Sequence, residues 1–187
     1  MSPGEKRAAG PELRVIQGGL QREISFRGLL VVAAPPENSP FRVEAEVLEE
    51  DTFLVMSADL EVREPSEPVI KIMTRLLDTE PQSPGSVLLR EGNPLRFLAV
   101  VHDFNQEPTW REEWIAKALE SVFRKAEGRH VESLVIPLLC TKYGRLEERR
   151  FVVLLRDALE KTPLETLKRL WLMVPKGRAG ELLKLME

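Results

Sequence analysis

Residues 95–159 constrain the fold of this chain more than any other stretch. Residues 95–101, LRFLAVV, form an apolar run of the kind that suits a strand covered on both faces. Behind it Trp114, Ile115, Ala118, Leu119, Val122, Phe123 and Ala126 recur at helical spacing, and Gly128 suits the end of that helix. Thr109 and Glu112 stand three residues apart, the spacing of a capping box. Residues 131–139 read as a second buried strand. Residues 147–161 read as a second helix, with Phe151, Val152, Leu154, Leu155, Ala158 and Leu159 facing inward. Strands alternating with helices predict a layered α/β sheet. Two loops then follow the carboxyl ends of strands, where open α/β sheets place their ligand sites.

The rest of the chain fits around that unit. Residues 13–17 and 21–26 flank Gly18-Gly19 and predict a hairpin. Residues 29–34 are continuously apolar, as in a buried strand. Phe41, Val43, Ala45 and Val47 alternate with Arg42, Glu44 and Glu46, as in a half-exposed strand. Leu48-Glu49-Glu50-Asp51 reads as a turn, and residues 52–57, TFLVMS, as a central strand. Ser66 is placed to cap a helix carrying Val69, Ile72, Met73, Leu76 and Leu77 on one face. Short strands over 86–90 and 170–174 and a short helix over 181–186 complete the expectation. Pro137 implies that its strand lies at an edge or stops pairing there. The strand-rich first third makes the sheet mixed. Residues 1–12 read as a disordered tail, and 13–187 as one domain with an N-terminal β extension.

Composition excludes several functions. A net charge of −3 over 187 residues gives no general pull toward nucleic acid or anionic membrane. Arg124, Lys125, Arg129 and Lys142 lack interleaved aromatics, so nucleic acid is not an expected partner. No apolar run approaches the roughly 20 residues of a membrane span. The N-terminus shows no apolar leader, and a cytoplasmic protein is expected. Cys140 is the lone cysteine, which rules out an intrachain disulfide, and its place at a strand end predicts apolar packing. Two histidines and one cysteine without close spacing predict no structural zinc site; no metal and no cofactor are expected.

Candidate site residues cluster in the loops. Cys140-Thr141-Lys142-Tyr143-Gly144-Arg145 follows a strand and precedes a helix, a setting in which backbone N–H groups turn toward an anion. Lys142 and Arg145 add positive charge there, and Thr141 a hydroxyl. His102-Asp103-Phe104-Asn105 ends the preceding strand; Phe104 suits stacking on a sugar or base, and His102 more simply packs. Asp59, Glu61, Glu64 and Glu67 crowd the first loop, where carboxylates favour a helix N-terminus and repel a diphosphate.

From residue 51 onward the chain resembles the macro domain, the family that binds ADP-ribose and related nucleotides. The likeness rests on DTFLVMSAD (51–59), GSVLL (85–89), LAVVHDF (98–104) and SLVIPLLCTKYGRL (133–146), in family order over about two thirds of the chain. It implies a three-layer α/β/α fold with a mixed sheet. It also implies a cleft between loops 58–66 and 141–145. There Asp51 would accept the adenine amino group, Ser57, Asp59 and Ser66 would line the first loop, and Thr141, Lys142, Tyr143, Gly144 and Arg145 would hold the diphosphate. Phe104 would pack on a sugar. The chain departs from the family pattern: residues 60–68, LEVREPSEP, contain no glycine, Ser57 and Asp59 replace asparagines, and Thr141-Lys142 replaces threonine-glycine. Two other readings therefore stay open, a protein–protein module without a nucleotide site and an ADP-ribosyl hydrolase. Self-association into a homo-oligomer also stays open.

Overall fold

The computed structural model describes residues 13–15, 21–56 and 80–187. The tail over 1–12, the Gly18-Gly19 turn, Ser57, Asp59, Ser66 and the helix expected over 66–77 lie outside the described residues. Among the described residues eight strands form one sheet: β1 (Leu13–Val15), β2 (Arg22–Phe26), β3 (Leu29–Ala34), β4 (Ala45–Asp51), β5 (Val87–Arg90), β6 (Leu95–His102), β7 (Ser133–Pro137) and β8 (Arg169–Met173). Their order is β1-β2-β3-β8-β7-β4-β6-β5. The five inner strands from β3 to β6 run parallel, while β1, β2 and β5 pair antiparallel at the two edges. The sheet is mixed, as expected, and the antiparallel pairing of β1 with β2 agrees with the predicted hairpin.

Helix α1 (Glu112–Gly128) and helix α2 (Glu148–Lys161) carry the predicted apolar stripes, except that Trp114 is only half-buried under Arg111, and α3 (Ala179–Leu183) runs into a 3-10 turn over Lys184–Met186. These three helices of the described residues contribute to one apolar core on one face of the sheet, against Ile24, Val31, Val47, Phe97, Ala99, Ile136 and Leu172. Each large side chain buried there, Phe123 or Leu155 for instance, contributes about 2–3 kcal/mol of hydrophobic stabilisation. On the other face Trp171, Val135 and Ala34 gather Phe41, Val43 and Met173. No helix among the described residues is long and apolar enough to cross a membrane.

Two local expectations need correction. The run 48–51 is no turn: it is the second half of β4, at the middle of the sheet, and the turn falls over 52–56 instead. The cause is Asp51, whose carboxylate accepts the N–H groups of Phe53 (2.7 Å), Val55 (2.8 Å) and Met56 (3.1 Å) and wraps the following residues around itself. Thr109 does not cap α1; that helix opens after Arg111 without a side-chain cap. Thr109 closes the preceding loop, its carbonyl accepting the Asp103 N–H at 2.7 Å. The expectation for Pro137 is met in its second form: β7 ends at Pro137 and pairs with β4 only at Leu134 and Val135, so these two strands part toward their carboxyl ends.

Candidate functional site

The carboxyl ends of β4, β6 and β7 form a crest from which three loops emerge, residues 52–56, 103–111 and 138–147. Below the crest, acid, base and thiol meet. Glu49 lies on the core face of β4. A register shift between Glu50 and Asp51 pairs Asp51 with His102 and skips Val101. That shift puts His102 on the same face as Glu49 and Asp51, a known use of strand irregularities. The His102 ring is fully buried, with Nε2 hydrogen-bonded to Glu49 Oε1 and Nδ1 3.3 Å from the Thr109 hydroxyl. The second Glu49 oxygen accepts the Cys140 N–H at 3.0 Å and so bridges the gap that opens between β4 and β7. Cys140 is buried, with Sγ 3.7 Å from His102 Nε2. It holds φ 61°, a left-handed conformation that costs a non-glycine residue roughly 1–3 kcal/mol.

This arrangement is not a nucleophilic pair. Burial, and secondly the charge of Glu49, pushes the Cys140 thiol far up, so it stays protonated. His102 offers the same ring nitrogen to Glu49 and to the thiol, whereas a catalytic dyad needs the acid on the far nitrogen. The expectation that Cys140 packs as a buried group holds, but its neighbours are polar as well as apolar.

Where the crest meets solvent, three large apolar side chains stand among polar ones such as Asn105, Gln106, Lys142 and Arg145. Among the described residues the large hydrophobic side chains standing exposed are Val55 (47%), Phe104 (57%) and Tyr143 (60%), one on each loop. Phe104 stacks on His102 from above, with centroids 5.9 Å apart and planes within 15°. Lys142 lies over the Tyr143 ring at 4.9 Å, and Tyr143 holds its ammonium above the ordinary range, first through a side-chain hydrogen bond. Lys142 and Arg145 are exposed.

The other predicted site residues are engaged in building the crest. Asp51 ends a strand instead of preceding one, is 1% exposed, and spends its carboxylate on the 53–56 backbone. The Thr141 hydroxyl donates to the Leu138 carbonyl at 2.7 Å. Gly144 is clamped against Trp110, whose indole N–H donates to the Gly144 carbonyl; a Cβ there would sit 2.5 Å from Trp110 Cδ1 and 2.7 Å from the Cys140 carbonyl. Loop 138–147 is therefore braced from below, with Lys142, Tyr143 and Arg145 left outward. Glu49 is the member that sequence reasoning missed. Its partners lie 53 and 91 residues away, and only its place beside two further acids at the end of an apolar strand hinted at a buried role.

No protein-family model matches this sequence, and no curated protein matches it. Solved structures do. The Oceanobacillus iheyensis macrodomain with ADP is 14% identical over 92% of this chain and 96% of that one, at a TM-score of 0.63. The macro domain of ganglioside induced differentiation associated protein 2 (GDAP2) is 16% identical over 85% and 84%, at 0.57. The macrodomain of Thermus aquaticus DarG is 18% identical over 73% and 92%, at 0.51. Identities this low establish architecture alone: the protein has a macro-domain-like α/β/α fold with a mixed sheet.

Proposed function

We propose that the crest binds ADP-ribose or a related nucleotide. Phe104 and Tyr143 offer ring faces to base or sugar, Val55 adds an apolar edge, and Lys142 with Arg145 meets the phosphates. Thr141 and Gly144 hold the second loop in shape. Asp51 sets the backbone of 53–56. The observation that carries this reading is the exposed trio: three adjacent parallel strands each raise one large apolar side chain into solvent at the end of the sheet where α/β ligands bind. The macrodomain of O. iheyensis, with the same architecture, has been crystallised with ADP.

Calorimetric titration with ADP-ribose tests it, with ADP and ribose 5-phosphate as shorter probes. Saturable heat is expected, weakest for ribose 5-phosphate, which lacks the base. No heat at millimolar ADP-ribose contradicts the reading. A second reading draws on Glu147 and Glu148, acids at the N-terminus of α2 where a phosphate would otherwise settle. Under it the same exposed trio docks a protein, and nucleotide titrations stay silent.

A further inference from the structure

We infer that Glu49, His102 and Cys140 form a binding site for a divalent transition metal of the zinc class, set beneath the crest. One donor atom from each side chain, a carboxylate oxygen, an imidazole nitrogen and a sulfur, lies within 4.8 Å of the other two. The three come from the carboxyl ends of β4 and β6 and from just beyond β7, so the sheet assembles what the sequence keeps apart. The Sγ to Nε2 separation of 3.7 Å is close to the edge of about 3.5 Å that tetrahedral zinc spans between sulfur and nitrogen ligands. Nitrogen, sulfur and carboxylate oxygen together suit zinc better than calcium or magnesium, which take oxygen.

The surroundings are those of an oriented ligand set. Metal-bound histidines are held through their other ring nitrogen, and His102 Nδ1 is held by the Thr109 hydroxyl at 3.3 Å. Ligating carboxylates are themselves hydrogen-bonded, and the second Glu49 oxygen takes the Cys140 N–H. The left-handed backbone at Cys140 turns its sulfur inward to the other two donors. An ion would replace the protons now shared among the three groups, and coordination deprotonates a thiol outright. His102 and Cys140 are sealed, while the Glu49 side chain is 13% exposed, so a fourth, open position lies on the Glu49 side. This inference stands independently of nucleotide binding.

Cobalt and zinc titrations of the chelator-stripped full chain test it. Cys140 is the one cysteine, so any sulfur-to-cobalt charge-transfer band must come from it. One equivalent of Co²⁺ is expected to raise that band, and Zn²⁺ to bleach it by displacement. Cys140→Ser should abolish the band, and His102→Ala should weaken zinc binding roughly 100-fold. Thr109→Val should weaken it about tenfold through loss of ring orientation. His130→Ala, changed at the far end of the sheet, should leave it unchanged. A wild-type cobalt spectrum without a thiolate band, or zinc affinity equal in wild type and Cys140→Ser, would overturn the inference; the wild-type spectrum decides even if a variant fails to fold.

Discussion

The crest and the layer directly beneath it each hold side chains that folding alone would place in the other. Beneath, an acid, a base and a thiol are packed out of water around Glu49 and His102. Above, Val55, Phe104 and Tyr143 stand in solvent. Folding alone favours the opposite arrangement, because buried polar groups contribute only when every partner is supplied and exposed rings contribute nothing. The difference separates two jobs. The lower layer fixes where three loops leave the sheet, and the upper layer is free to meet something else.

That separation can be broken by mutation. Glu49→Ala removes the acceptor of both the His102 ring and the Cys140 N–H, and should cost about 2–6 kcal/mol in denaturant unfolding, at roughly 1–3 kcal/mol for each orphaned donor. Gly144→Ala pushes a methyl into Trp110 and should cost about 1–3 kcal/mol while shifting loop 138–147. Tyr143→Ala and Phe104→Ala should change stability by no more than about 0.5 kcal/mol. Each should nevertheless weaken ADP-ribose binding roughly tenfold by calorimetry, in keeping with about 1–3 kcal/mol for a stacked base. Large stability losses from these two changes would dissolve the distinction between the layers.

Glu127, near the opposite end of the sheet, sharpens the comparison as a carboxylate with a purely structural task. Burial raises its pKa, but the N–H groups of Leu167, Thr166 and Glu165 outweigh that and leave it below 4.5. A group with a depressed folded pKa contributes stability above its unfolded pKa and loses it as pH falls through the folded value. Wild type should therefore lose more stability than Glu127→Gln on acidification below about pH 4.5, with a difference of about 1 kcal/mol at neutral pH. Ligand binding should not change in that variant.

Much of the architecture was legible because it follows from hydrophobic spacing. The inward faces of α1 and α2 and the run of β3 match the pattern except at Trp114, which is only half-buried and lies under Arg111. The end of β4 was not legible. Glu49, Glu50 and Asp51 look like a turn because three acids rarely occupy a central strand, and TFLVMS looks like a strand because it is apolar. What reverses both is supplied from elsewhere: His102 and the Cys140 N–H accommodate Glu49, and the turn amides accommodate Asp51. Thr109 misleads for the same reason, its hydroxyl being drawn to His102. Lys142, Tyr143, Arg145 and Phe104 were legible as candidates from loop position, and the structure leaves these four facing outward.

The most direct measurement is an ADP-ribose titration of isotope-labelled protein followed residue by residue by nuclear magnetic resonance. The account predicts saturable shifts at the amides of Val55, Phe104, Lys142, Tyr143 and Arg145, on all three loops together. Silence on those loops at millimolar ligand, or shifts confined to the far end of the sheet around Arg129 and His130, would contradict it.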